Sequence, residues 1–115
     1  MIVSHLDSVT KKKLESDTLK NAYMQVCIGE SEGWDSHVMR VMTVEKDGYT
    51  PKHSHPWPHT NYVISGQGTL LITDEEKEIK TGSIAYVDSN TLHQFKNTGD
   101  EDLVFICIVP KEGHK

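Results

Sequence analysis

The sequence predicts a single-domain, all-β fold, either a sandwich or a barrel. Short runs rich in β-branched and aromatic residues recur along the chain, and each run ends at Gly, Pro, Asp or Asn. Helical periodicity does not persist in any stretch. A length of 115 residues with 36% hydrophobic content suits one compact core. We therefore expect one domain over residues 1–115.

Eight strands are predicted from these runs, taken in chain order. Turn signals separate them, among them Lys46-Asp47-Gly48, Ser65-Gly66-Gln67-Gly68, Thr81-Gly82 and Asn97-Thr98-Gly99-Asp100. The first 20 residues are expected to form an N-terminal arm or edge strand, because residues 7–20 are polar, include KKK and lack a clear period. The predicted strands cover residues 22–28, 38–45, 62–65, 69–73, 78–80, 84–87, 92–95 and 103–109.

Composition narrows the classes of partner. The net charge is −5, and Lys is interspersed with Asp and Glu, so no continuous basic face is available for nucleic acid. The start MIVSHLDSVTKKK places its apolar residues before its lysines, the reverse of a signal peptide, and no apolar run approaches the ~18 residues of a membrane span. We expect a cytoplasmic protein that binds neither nucleic acid nor membrane.

Four of the seven histidines stand at spacings that suit one metal ion, namely His53, His55, His59 and His93. Residues two apart on a strand point to the same face ~6.7 Å apart, so His53 and His55 can lean toward one ion. His59 follows across residues 56–58, where two prolines stiffen the connection, and His93 comes from a separate strand. Any one of them taken singly reads better as a surface loop histidine, but their joint spacing predicts a metal site.

Two stretches of the chain carry a recognisable pair of motifs. GYTPKHSHPWPHTNYVISG contains a Gly, His-x-His, a further ligand after three residues and a Gly six residues on. GSIAYVDSNTLHQFKN places Gly82, His93 and Asn97 at the spacing Gly, ten residues, His, three residues, Asn. Together they resemble the two motifs of the cupin superfamily over residues 48–109. The resemblance implies a single-domain cupin, a jelly-roll barrel also described as a double-stranded β-helix.

The chain departs from the cupin motifs in three places. His59 stands where most metal-binding cupins have a glutamate, so the resemblance implies a four-histidine set similar to that of the small manganese cupins, whose tail also looks like IVPKEGHK. Asp88 and Asn90 replace a Pro and a Gly, and Asn tolerates the left-handed conformation. Four residues, not five, separate Gly48 from His53. We expect the turn geometry to survive these changes.

An all-imidazole site has consequences for its ligands. Neutral imidazoles leave the charge of a divalent ion uncompensated, so an anionic or oxygen-donor ligand is expected to bind readily. Four nitrogens in an octahedral sphere leave two positions for waters, or for a substrate and dioxygen. Imidazole suits Fe, Cu, Ni and Zn well and Mn acceptably. Ligand type therefore leaves the metal open, and the resemblance favours manganese, then iron.

Strand parity predicts which residues line a pocket beside the metal. If His93 faces the interior then Phe95 does too, as an aromatic wall. Arg40 in VMRVM either snorkels to the surface or faces a pocket, where it could hold a substrate carboxylate. Phe105 and Cys107 share one face of the last strand and either pack in the core or line the pocket mouth. Trp57 is either a lid or a surface patch for a partner.

Two classes of function remain open. The first is a metal-dependent enzyme, a dioxygenase-like oxygenase of a small organic substrate, ranked first because no general-base carboxylate can be assigned to the site and because of fold analogy. The second is a non-catalytic cupin that senses or stores a small molecule or a metal. A metal-dependent isomerase or lyase lies between them. Exposed edge strands and family habit predict a homodimer, with residues 2–6 as the pairing strand.

Overall fold

Nine antiparallel strands make up the computed structural model, which describes residues 1–114. The all-β prediction is confirmed. Short 3-10 turns lie at Leu6–Ser8, Glu30–Glu32 and Lys111–Gly113. The strands are β1 (Lys12–Lys13), β2 (Lys20–Ile28), β3 (His37–Tyr49), β4 (His59–Ser65), β5 (Gln67–Ile72), β6 (Glu75–Lys80), β7 (Ile84–Val87), β8 (His93–Asn97) and β9 (Leu103–Pro110).

The sheet curls because its longest strand, β3, belongs to two halves, one with β6, β5 and β8 and the other with β9, β4 and β7. The strand order is β6-β5-β8-β3-β9-β4-β7, and β2 pairs with the opposite edge of β3, with β1 beyond it. Residues 37–44 of β3 pair with β9, whereas Tyr49 at its end pairs with Lys96 of β8. The inner faces of β8 and β9 therefore meet, and the rings of Phe95 and Phe105 stack with their centroids 4.1 Å apart.

The predicted turn at Lys46-Asp47-Gly48 is wrong, since β3 continues through it to Tyr49. Asp47 has a φ of 65° and Asn21 on the facing strand has a φ of 51°. The pairing steps from Ala22 opposite Val44 to Lys20 opposite Tyr49, which is an irregular bulge. The turn-forming residues therefore bend the strand instead of reversing it, and this bend carries β3 from one half of the sheet to the other.

Other boundaries shift where pairing extends a strand beyond its apolar run. β4 starts at His59 instead of residue 62, and β6 starts at Glu75 instead of residue 78. β6 is an edge strand with a single buried residue, Ile79, and its charged residues are held in place by pairing with β5. Residues 2–6 form no strand within the chain, and Leu6 begins the first 3-10 turn. Pairing of this segment with a second copy stays a prediction.

The core lies between the two halves of the curled sheet. β9 alternates buried and half-buried residues along its whole length, with Leu103, Phe105, Cys107 and Val109 facing inward. The inward face of β9 therefore supplies both the packed centre and, nearer Cys107, one wall of an open cavity. None of the helices among residues 1–114 has the length and apolar character needed to cross a membrane.

Candidate metal centre

The connection from β3 to β4 brings two of the predicted ligands to a third. His53 forms an isolated antiparallel bridge with His93, with N···O distances of 3.1 and 2.9 Å. His55 lies in the following loop, where its carbonyl accepts a hydrogen bond from the Asn90 N–H at 2.7 Å. His53 and His55 therefore do not share one continuous strand, because the prolines in PKHSHPWP lack the N–H donors that a continuous ladder requires.

The turn before His93 has the predicted geometry. Asn90 has a φ of 61°, the left-handed conformation that the motif glycine would adopt. Its N–H reaches the His55 carbonyl, so the turn and the ligand loop hold each other in place.

All four imidazoles converge at one end of the barrel. Ring centroids lie 4.8 Å apart for His53 and His93, 4.8 Å for His55 and His93, and 4.9 Å for His59 and His93. The candidate ligand atoms of His53, His55 and His93 all lie within 4.8 Å of one another. His59 approaches this three-histidine cluster through His93, and its membership of the ligand set stays a prediction.

Hydrogen bonds on the outer side of three rings decide which nitrogen carries the proton. The Nδ1 atoms of His55 and His93 lie 2.7 and 2.8 Å from the carbonyl oxygens of Trp57 and Thr91. The Nδ1 of buried His59 lies 2.7 Å from the Asn61 Oδ1. Carbonyl oxygens can only accept, so each Nδ1 donates and each neutral ring keeps a lone pair on Nε2.

The Nε2 atoms of His59 and His93 face each other at 3.2 Å. With both protons on Nδ1, neither Nε2 can donate, and this contact brings two lone pairs together instead of forming a hydrogen bond. A cation between or beside these atoms would relieve the repulsion. The donor set therefore fits a divalent transition metal, for which neutral imidazole nitrogen is a good ligand.

The surroundings keep these histidines neutral. Partial desolvation of its ring, followed by the charges of the neighbouring rings, lowers the pKa of His53 to about 4, although the residue as a whole is exposed. Burial lowers the pKa of His93 to about 4 as well, against the opposing hydrogen bond to Thr91. Burial is also the main cause that lowers the pKa of His55 and of His59, and the positive charge of Arg40 adds to it in both. Neutral rings at pH 7 are ready to bind a metal without releasing protons.

The rings face a cavity of about 230 Å³ inside the barrel mouth. Its apolar wall includes Leu14, Leu19, Met24, Met42, Phe95 and Phe105. Trp57, Arg40 and Cys107 line the same space, so all five predicted pocket residues face the cavity. Whether they contact a ligand stays a prediction. Among the described residues that line the cavity, none carries a carboxylate.

The sequence left alternatives open for Trp57 and Arg40, and the fold places both side chains beside the cavity. Trp57 stacks on the His55 ring with centroids 5.1 Å apart and an interplanar angle of 12°, so it forms part of the site wall. Arg40 points inward, with its Nη2 3.1 Å from the Cys107 Sγ. Both residues are half-buried.

Sequence reasoning missed Asn61 and the two leucines of the N-terminal arm. Asn61 lies two residues after His59 on β4, so strand parity could have placed it on the same face. Its Nδ2 donates to the Ile106 carbonyl at 3.2 Å, which turns Oδ1 toward His59. Leu14 and Leu19 had no signal in the sequence, because the polar arm has no period that indicates a buried face.

The family model of the cupin domain matches residues 40–109, which is more than half of the chain. The chain belongs to the cupin family. The resemblance of its two motifs and the predicted jelly-roll fold are thereby confirmed. In a cupin, a histidine cluster of this kind is a metal-binding site. The identity of the metal is open.

Solved structures agree on the fold of this cupin. The polyketide cyclase RemF from Streptomyces resistomycificus has a TM-score of 0.89 at 24% identity, covering 96% of this chain and 79% of its own. A predicted oxalate decarboxylase from Thermotoga maritima has a TM-score of 0.86 at 20% identity, covering 95% and 98% of the two chains. At these identities the likeness shows the fold alone.

Curated relatives include binding proteins and enzymes. The oxalate-binding protein of Thermotoga maritima is 31% identical over 48 residues, 42% of this chain and 40% of its own length. The oxalate decarboxylase of Bacillus subtilis is 28% identical over 114 residues, 91% of this chain and 29% of its own length. This cupin therefore spans less than half the length of either relative.

Proposed function

We propose that this cupin is a metal-dependent oxygenase of the dioxygenase type, acting on a small organic substrate. The observation that carries the proposal is the convergence of neutral imidazole nitrogens on one point of an apolar cavity with no carboxylate in its described lining. Because no Asp or Glu is placed to move a proton, general acid-base chemistry lacks its usual agent. Redox chemistry with dioxygen needs no such group, and a dioxygenase places both oxygen atoms in the product without an external reductant.

The proposed ligands are His53, His55, His59 and His93, with manganese as the first candidate metal and iron as the second. When bound, such a metal supplies a Lewis acid and a redox centre. The chain itself orients the ligands through Trp57, Asn61 and Thr91, whose oxygens hold the outer nitrogens of three rings.

The remaining cavity residues would bind the substrate and exclude water. Phe95 and Phe105 stack at 4.1 Å and present a flat apolar wall beside His93. Trp57 covers His55 at the mouth. A cavity of about 230 Å³ is smaller than the ~300–1,000 Å³ typical of sites for drug-sized ligands, so we infer a compact substrate.

A non-catalytic binding role is the second candidate function. The likeness to a protein named for binding oxalate favours it, because the same open coordination positions can hold a ligand without turnover. A metal-dependent isomerase or lyase, which would use the metal as a Lewis acid, is the third candidate function. The likeness to a protein named glucose-6-phosphate isomerase in Thermococcus onnurineus favours it. We also propose that the protein is cytoplasmic and homodimeric.

Metal analysis of protein purified without added metal tests the site. His59→Ala is compared with wild type by elemental analysis and electron paramagnetic resonance. His5→Ala is the control, because His5 is exposed and does not line the cavity. We expect wild type and the control to carry the same amount of metal, and His59→Ala to carry clearly less. Undiminished metal in His59→Ala would reduce the ligand set to three histidines.

Oxygen consumption tests the reaction. Metal-loaded protein is incubated with diketones, catechols and alkenyl phenols, and metal-free protein serves as the blank. Metal-dependent oxygen uptake with any member supports the oxygenase. Silence across the panel with the metal intact favours the binding role.

A further inference from the structure

Arg40 is the single arginine of the chain, and its charge is uncompensated inside the cavity. Among residues 1–114, no carboxylate forms an ion pair with it. Its Nε is the one buried side-chain nitrogen or oxygen in that range without a hydrogen-bond partner. An unpaired buried donor on a charged group is costly, so an occupant that satisfies it would be bound strongly.

The unsatisfied edge of the guanidinium has the shape that a carboxylate recognises. Nε and Nη2 lie on the same edge, and that edge binds a carboxylate through two parallel hydrogen bonds. Here Nη2 has only the Cys107 thiol, a weak acceptor, at 3.1 Å. A carboxylate that displaces the thiol could therefore take both donors once the guanidinium turns its buried Nε toward the cavity.

The position of Arg40 relative to the metal centre restricts the size of the ligand. Arg40 pairs with Cys107 across β3 and β9, and Cys107 pairs with Asn61 across β9 and β4. Arg40 and Asn61 are thus two strand spacings apart, ~10 Å between backbones. Asn61 holds His59, so the guanidinium and the histidine cluster line one small cavity from nearby strands.

We propose that Arg40 is a carboxylate-binding subsite, and that the substrate is a small carboxylic acid with an apolar body whose reacting end faces the histidines. The aromatic pair Phe95 and Phe105 lines the same cavity and suits a planar body. Orientation of the substrate by Arg40 rests on the proposed function, whereas anion binding by Arg40 is measurable without metal or turnover.

Calorimetric titration of the full chain with acetate, hexanoate, benzoate and phenylacetate tests the subsite, in metal-free and Mn²⁺-loaded protein. Benzamide is the neutral counterpart of benzoate. We expect at least one carboxylate to bind wild type, and its affinity for Arg40→Met to be about 10- to 100-fold lower. Arg40→Lys should retain part of the affinity, because it keeps the positive charge but loses the two parallel N–H donors. Benzamide should bind weakly and equally to wild type and Arg40→Met.

Lys80→Met is the matched control for the loss of one positive charge. Lys80 is exposed and lies outside the cavity lining, so carboxylate binding should stay within a fewfold of wild type. Equal loss in Lys80→Met and Arg40→Met, or no carboxylate binding to wild type across the panel, would overturn the subsite. Arg40-dependent binding in a protein that never consumes oxygen would leave the subsite standing and remove the oxygenase.

Discussion

Replacing Asn61 by Leu should weaken metal binding without altering any proposed ligand. Asn61 is 6% exposed, and its Oδ1 is the acceptor that keeps the His59 proton on Nδ1, at 2.7 Å. Without it, the neutral ring can place the proton on Nε2. That atom lies 3.2 Å from the His93 Nε2, so a histidine-histidine hydrogen bond would then form and occupy two metal-binding nitrogens at once.

The size of the effect follows from the cost of breaking that new bond. Loss of one outer partner of a ligating histidine typically lowers metal affinity 10- to 100-fold, or ~1.4–2.7 kcal/mol. We expect the upper half of this range, because both His59 and His93 are at most 6% exposed and water cannot readily replace the lost acceptor.

Competition with a chromophoric chelator measures the affinity for Mn²⁺ and Zn²⁺, and nitrogen-15 spectra of the imidazoles report the tautomer of metal-free protein. Asn97→Leu is the control, since Asn97 is also buried and donates to the Val44 and Glu101 carbonyls, but lies four residues, ~13 Å, along β8 from His93. The reasoning is refuted if Asn61→Leu binds metal within twofold of wild type, or if its His59 remains protonated on Nδ1.

Two further predictions concern pH and the turn before His93. The pKa of His93 is about 4 in the folded chain and 6.5 in the unfolded chain, so the unfolded chain binds more protons below pH 6.5. The free energy of unfolding of metal-free protein should therefore fall as the pH drops from 6.5 toward 4. The contribution of this group is at most ~1.4 kcal/mol per pH unit. Urea unfolding at pH 7, 6 and 5 should show a shallower loss in His93→Gln, and equal slopes would contradict the prediction. Asn90 has a φ of 61°, so Asn90→Gly should keep the melting temperature, whereas Asn90→Val should cost ~1–2 kcal/mol. Thermal unfolding checks this, and equal melting temperatures for the two variants would count against it.

Local chemistry in the sequence was sufficient for much of the fold and for naming the candidate ligands. β-branched runs ending at turn residues indicate strands because both preferences act over a few neighbouring residues. The left-handed turn at Asn90 and the inward alternation of β9 follow from the same short-range rules. The four histidines could be named for the same reason, since their spacing and flanking residues are local features.

Tertiary structure alone decided where these elements meet and which way their side chains face. The residues Lys46-Asp47-Gly48 signal a turn, yet pairing with β2 on one side and β8 on the other makes them a bend in one long strand. The inward aim of Arg40, the contact between Asn61 and His59, and the place of Leu14 and Leu19 in the cavity depend on register between distant strands. Register is settled by burial summed over the whole sheet, and no short window of sequence contains that sum.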